Sequence, residues 1–358
     1  MRLYACQHCG QHVYFENVRC VRCGHTLGFL PDRMEVSALE GTAQGLWRAL
    51  ASPEDAIYRA CANSAQYEVC NWMIPERDPD PLCVSCRLNR TIPDLTVAGN
   101  QTLWQRLETQ KRRLVYSLLR LDLPVQPRHR DPKGMAFDFL ADPDPAFNEQ
   151  QRVLTGHADG LITLNIAEAD PAAREQMRKD MAEPYRTLLG HFRHESGHYY
   201  WDRLVRDREW LSDFRSLFGD ETLDYRQALQ RHHAEGPPRG WRERFVTAYA
   251  SSHPWEDWAE TWAHYLHIVD TLETARAFGV DVRLKGTGQQ SMAKEHGFDP
   301  CSQTEFAPIL ENWLPLAFAL NSLNRSMGHE DAYPFVLAPP AVEKLQLVHR
   351  IIRHQSVR

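Results

Sequence analysis

The stretch FRHESGHYYW, Phe192 to Trp201, contains His194-Glu195-Ser196-Gly197-His198. On a helix, side chains four residues apart share a face, so His194 and His198 can bind one metal ion while Glu195 flanks it. Two imidazoles beside a carboxylate are the parts of metal-assisted hydrolysis: the imidazoles hold a Lewis acid and the acid moves a proton. A catalytic zinc also needs a third protein ligand and one open position. YYWDRLV follows His198. The nearby third histidine of an H-E-x-x-H-x-x-G-x-x-H pattern is therefore absent, and the ligand must come from elsewhere.

The best source is SSHPWEDWAETWAHYLHIVD, which reads as a helix with Glu256, Glu260 and His264 on one stripe. Acids set among Trp255, Trp258, Trp262 and Tyr265 are costly to bury without a partner, and a metal with its histidines would supply one. The favoured division makes Glu256 the ligand. Glu260, one turn on, then accepts a hydrogen bond from a ligand histidine and fixes its tautomer. His264 and Asp257 stand as alternative ligands. The competing reading treats these acids as first-turn residues favoured by the helix dipole.

Eight of the nine cysteines fall before residue 90. Cys6-x2-Cys9 and Cys20-x2-Cys23 are two knuckles, each followed by glycine (Gly10, Gly24), and place four thiolates around one tetrahedral Zn2+. Cys61, Cys70 and Cys83-x2-Cys86 make a second, less regular set of four, with free packing cysteines as the other reading. Four protein thiolates leave no open position, so neither set is catalytic. The ribbon serves as a docking module for a partner or as a metal staple where apolar core is scarce. Cys301 stands alone and reads as a small packing residue.

These residues need a scaffold, and the composition bounds it. At 358 residues, 43% hydrophobic and 25% charged, the chain reads as a globular protein of two or three domains. No run of about 18 apolar residues is present, and the N-terminus lacks a signal-peptide core. The net charge of −6 is spread along the chain, and residues 1–35 set Arg2, Arg19, Arg22 and Arg33 against Glu16, Asp32 and Glu35. That argues against nucleic acid as a partner. Regularly spaced cysteines without a leader point to the cytoplasm.

The cysteine-rich region ends near Arg90, with NRTIPDLTVAGN as a linker. A helix follows from Gln101 to Leu121, with Asn100 as its cap and QKRRL as its solvated face. Strands are expected at Met135 to Leu140 and at GLITLNI (160–166). Asp170-Pro171 opens a helix that Pro184 kinks or restarts. Further helices run from about Pro254 to Ala277 and through the last 50 residues.

The ribbon, then HFRHESGHYYWDRLV, then HPWEDWAETWAHYLHIVDTLETA resembles a bacterial family of zinc-binding metallopeptidases with an N-terminal zinc-ribbon domain, over most of the chain. The resemblance implies a gluzincin arrangement: His194 and His198 as ligands, Glu195 as base, and a downstream glutamate as third ligand. A narrower similarity is to the lethal-factor-like gluzincins, whose tyrosine, ligand glutamate and second glutamate are spaced as Tyr249, Glu256 and Glu260. It implies that Tyr249 donates its hydroxyl to the oxyanion.

The expected fold is α+β: a Cys-rich zinc-ribbon region (1–90), then a mostly helical zincin-like domain with a small sheet (91–358). GLITLNI would be the sheet edge that pairs with an extended peptide. The expected cofactors are one catalytic and one or two structural Zn2+, and the partners a peptide or protein substrate and a protein docked on the ribbon. Two rival functions are a catalytically silent zincin-fold binding module and a non-peptide amide hydrolase.

Overall fold

Gly10 and Gly24 both take positive φ, 72° and 78°, and return their amides to the carbonyls of Cys6 and Cys20 at 2.8 and 2.9 Å. Only glycine enters that region without steric cost, so the residue after each knuckle closes the turn that gathers the thiols. In the computed structural model the described residues are 1–52, 56–142, 153, 155–180, 187–282 and 298–356. They form a mixed α+β protein of two compact units: Met1–Arg120 with Pro124–Met181, and Leu121–Leu123 with Ala182–Arg358.

In the first unit the first knuckle joins a short antiparallel pair, β1 (Tyr4–Ala5) and β2 (His12–Val13), and the second knuckle follows it. An antiparallel five-stranded meander follows: β3 (Thr26–Leu30), β4 (Glu35–Gly41), β5 (Trp47–Ala49), β6 (Ile57–Ala60) and, after the short helix α1 (Ala62–Tyr67), β7 (Met73–Pro75). β4 is buried over four consecutive residues rather than alternately, as expected of a strand covered on both faces. Leu30, Leu39, Ala49, Tyr58 and Met73 form one cluster. Phe15, Phe29, Trp72 and Tyr116 pack edge to face or tilted in a second.

Tyr116 belongs to α2 (Asn100–Arg120), which buries Trp104, Leu107, Leu114, Val115 and Leu118 at helical spacing. Asn100 lies in the first turn of this helix rather than capping it, and its amide donates to the Asp94 carbonyl. QKRRL is not the solvated face. Lys111 and Arg112 are buried, Lys111 against Glu108 (2.8 Å) and Asn89, Arg112 against the Val69 carbonyl, while Arg113 donates to Glu16. Long cations can be buried when each donor finds an acceptor, and here all the acceptors but Glu108 come from distant segments.

The linker segment begins as a strand: β8 (Asn89–Thr91) pairs in parallel with β9 (Ala136–Leu140). β10 (Gly156–Ala158) and β11 (Leu161–Asn165) complete a sheet of order β10-β11-β9-β8. GLITLNI is therefore not an edge. β11 is paired antiparallel to β10 and parallel to β9, so its ladder groups are taken on both sides. Asp170 caps α3 (Pro171–Asp180) through the Ala172 and Ala173 amides. Pro184 lies outside the described residues.

The described part of the second unit is helical: α4 (Leu188–Leu204), α5 (Leu211–Phe218), α6 (Tyr225–Glu235), α7 (Pro254–Ala277), α8 (Ala307–Ser326) and α9 (Pro339–Ser356). No helix among the described residues is long and apolar enough to cross a membrane. Most of residues 307–356 is helical, as α8 and α9 joined by a loop. α7 starts where Pro254 takes the first position and the His253 ring accepts the Trp255 amide at 3.1 Å. α4 starts at Thr187, whose hydroxyl accepts the Gly190 amide at 3.0 Å. α4 and α7 are buried nearly all round and press together at Gly197, where a Cβ would stand 2.9 Å from the Ala259 Cα. Trp258 and Trp262 lock the contact, donating to the Gly197 carbonyl (2.9 Å) and the Ser196 hydroxyl (3.2 Å).

Candidate metal centres

The eight N-terminal cysteines gather as two sets of four, Cys6-Cys9-Cys20-Cys23 and Cys61-Cys70-Cys83-Cys86. Sγ atoms stand 3.6 Å apart for Cys6–Cys23 and Cys9–Cys20, and 3.7 Å for Cys70–Cys83. A disulfide would hold them at about 2.05 Å, whereas four sulfurs around one tetrahedral zinc at about 2.3 Å stand about 3.8 Å apart. The observed spacing fits the metal. In the second set all four thiols are buried. Amides of Trp72, Cys83 and Cys86 point at the Cys70, Cys61 and Cys83 sulfurs at 3.4 Å. Burial works against the Arg112 cation, but the charges of Cys70, Glu108, Cys86 and Cys83 outweigh it, which accounts for a buried arginine beside the set.

In the second unit, α4 presents His194 and His198 from one face and α7 presents Glu256 from its first turn. His194 Nε2 lies 3.2 Å from His198 Nε2 and 3.0 Å from Glu256 Oε2, and His198 Nε2 lies 3.5 Å from Glu256 Oε1. Donors at about 2.0 Å from one tetrahedral ion would stand about 3.3 Å apart. Glu256 Oε2 is within contact of His194 yet, among the described residues, makes no hydrogen bond, as befits two lone pairs aimed at one point. The tautomer agrees: His194 Nδ1 donates to Glu260 Oε1 at 2.6 Å, which leaves Nε2 free of its proton in the neutral ring. His194, His198 and Glu256 thus fit a metal with an open position.

The electrostatics carry the same message. Burial opposes a charge on His194, but the neighbouring Glu256 and Glu260 carboxylates outweigh it and hold the ring well above its usual range. Burial likewise opposes the Glu256 anion, and the His198 and His194 charges outweigh it, so Glu256 is held well below the carboxylate range. Without another cation, a proton is what these acids draw in.

Glu195 is 7% exposed, and its Oε2 is buried with no hydrogen-bond partner among the described residues. Tyr249 starts a short 3-10 turn, with its ring centroid 6.0 Å from that of His194. Burial, then the charges of Glu256, Tyr225, Glu260 and Glu195, pushes its phenol up, so Tyr249 keeps its proton. Of the alternative ligands, Asp257 turns away to Lys344 at 2.6 Å, and His264 Nδ1 bonds the Tyr333 hydroxyl at 2.7 Å. Neither joins the histidines.

Two residues escape sequence reasoning. Thr247 donates to Glu260 Oε2 at 2.7 Å and accepts the Ala250 amide at 3.1 Å, tying the second glutamate to the turn that carries Tyr249. Its place two residues before Tyr249 is the one signal that could have found it. Tyr225, on the first turn of α6, donates to Glu256 Oε1 at 2.6 Å across 31 residues, and no motif marks it.

The family described as "Putative zinc-binding metallo-peptidase" matches residues 100–351, and a zinc-ribbon domain matches residues 3–97. Proteins named only as uncharacterized, from Mycobacterium tuberculosis and Mycobacterium bovis, are 42% identical over 354 residues, covering 98% of this chain and 95% of their own. No solved structure matches. With most of its length matched by that family and relatives this similar end to end, the chain belongs to the "Putative zinc-binding metallo-peptidase" family.

Proposed function

We propose that the protein is a zinc-dependent peptidase that hydrolyses peptide bonds, with His194, His198 and Glu256 as ligands and Glu195 as general base. One observation carries the reading: three lone-pair donors converge at metal spacing beside a buried acid whose second oxygen is unengaged. Bound there, zinc supplies an acidified water and a Lewis acid for the scissile carbonyl. Glu195 takes the water's proton and passes it to the leaving amine. Tyr249, kept protonated by its burial and its acidic surroundings, donates to the oxyanion. Glu260 holds His194 in the right tautomer.

The cysteine sets hold structural zinc, and residues 1–90 give the protein a surface for a protein partner. Cysteines set for metal rather than paired in disulfides fit a reducing compartment, the cytoplasm.

The test is zinc content and cleavage of a peptide library read by mass spectrometry. Wild type cleaves, and His194→Ala/His198→Ala holds one zinc fewer and does not. Glu195→Gln keeps its zinc and loses about 10²- to 10⁴-fold in rate. A Glu195→Gln protein as fast as wild type removes Glu195 from the mechanism. A wild type that holds this zinc but cleaves nothing favours the silent binding module.

A further inference from the structure

Resting on that reading of the site, we infer that Tyr225 is a positioning residue: its hydroxyl holds one oxygen of Glu256 and so keeps this carboxylate to a single oxygen on the metal. A carboxylate can give a metal one donor or two. If Glu256 gave both, two histidines and a chelating glutamate would make four donors, and the water of the open position would be a fifth. The two oxygens are not equivalent here. Oε2 lies 3.0 Å from His194 Nε2 and, among the described residues, makes no hydrogen bond, whereas Oε1 accepts the Tyr225 hydroxyl at 2.6 Å. A hydrogen bond to an anionic oxygen is short and strong, and it competes with chelation for that oxygen.

The hydroxyl is placed by the end of the helix that carries the ligand. The ring of Tyr225 meets His253 edge-on at 5.2 Å and Trp255 at 5.7 Å, the residues around the start of α7. His253 Nε2 lies 3.1 Å from the Leu223 carbonyl, so its N–H bonds the chain two residues before Tyr225. Asp224 caps α6 by accepting the Gln227 amide at 2.9 Å. Tyr225 is 38% exposed while Glu256 is 1% exposed, so the ring sits at the mouth of the site and its hydroxyl reaches a buried oxygen. Among the described residues, Oε1 is given no hydrogen-bond donor other than this hydroxyl and the more distant His198 ring. Removing the hydroxyl leaves that oxygen to the metal.

Cobalt(II) is the probe, because its visible absorption is strong in four-coordinate sites and weak in five-coordinate ones. The difference spectrum between each protein and its His194→Ala/His198→Ala counterpart isolates this site from the thiolate sets. Tyr225→Phe keeps the ring and its contacts with His253 and Trp255. The expected result is a Tyr225→Phe protein that still binds one cobalt at the histidines but whose difference absorption falls severalfold. A merely structural role would lower cobalt content and leave the band shape alone, and that result overturns the inference. So does a Tyr225→Phe spectrum equal to wild type at full cobalt content. If wild type and the double histidine variant bind equal cobalt, the metal reading itself fails and the inference with it, an outcome recognisable before any tyrosine variant is made.

Discussion

The cysteine sets of the first unit and the His194-His198-Glu256 set of the second hold donors at similar spacing, 3.6–3.7 Å between sulfurs and 3.0–3.5 Å between nitrogen and oxygen atoms. They differ in number and in company. Each cysteine set supplies four protein donors, and the buried one is surrounded by backbone amides and a buried arginine, groups that stabilise charge and transfer no protons. The histidine set supplies three donors, surrounded by groups whose chemistry allows them to take, hold or donate a proton: Glu195, Glu260, Tyr249 and Tyr225. The number of donors separates a staple from a site with room for chemistry, and the neighbours say what that chemistry is.

The sharpest way to break this comparison is to remove each metal's ligands in turn. β1 and β2 have two residues each, too few to stay paired without help. Structural zinc of this kind contributes about 10 kcal/mol or more of apparent binding energy. Cys6→Ser/Cys9→Ser should therefore strip amide-exchange protection from residues 1–25. His194→Ala/His198→Ala should lose a zinc and keep the protection of α4 and α7, which are packed on Trp258 and Trp262. Equal loss of protection in both variants would mean that the histidine site is also a staple.

A smaller effect tests the company of the histidine site. In the metal-free protein His194 is held well above its usual range, against burial, by Glu256 and Glu260. Metal must displace that proton, so binding near neutral pH releases it, and affinity rises with pH until the His194 pKa is passed. Glu260→Gln still accepts from Nδ1 but removes one of the two charges, so less proton is released at pH 7. Zinc affinity or activity should fall about 10- to 100-fold. Calorimetry in two buffers of different ionisation enthalpy counts the protons. Unchanged release would show that the Glu260 charge does not act on His194.

How much of this was legible in the sequence depends on how far apart the partners lie. The helix Pro254–Ala277 could be read to its ends, because Pro254 and the aromatic periodicity are local signals. The knuckles could be read because C-x-x-C-G is local too. The cost of burying acids among tryptophans points to the stripe of Glu256, Glu260 and His264, and the spacing shared with the lethal-factor-like gluzincins helps to choose Glu256 within it. The burial of Lys111 and Arg112 could not be read, since their acceptors include Asn89 and Val69, 22 and 43 residues away. Nor could the Lys344 partner of Asp257, 87 residues off, or the hydroxyl of Tyr225. GLITLNI has the composition of a strand, but whether a strand is an edge depends on a neighbour, and β10 was not expected.

The mildest test concerns the residue between the two histidines that does no chemistry. Replacing glycine by alanine within a helix ordinarily stabilises it by about 1 kcal/mol. At Gly197 the new Cβ would stand 2.9 Å from the Ala259 Cα and 3.2 Å from Trp262. Backbone cannot rotate aside as a side chain can, so α4 and α7 must move apart. Overpacking of this sort costs about 1–3 kcal/mol. Gly197→Ala should therefore lower the thermal midpoint despite the better helix former. Ala259 is one turn from Glu256, so the same separation draws the carboxylate away from the histidines, and zinc affinity should fall with stability. The cysteine sets should keep their metal. A Gly197→Ala protein that is stabilised and binds zinc normally would show that the two helices have slack at their closest point, and that the site does not depend on their contact.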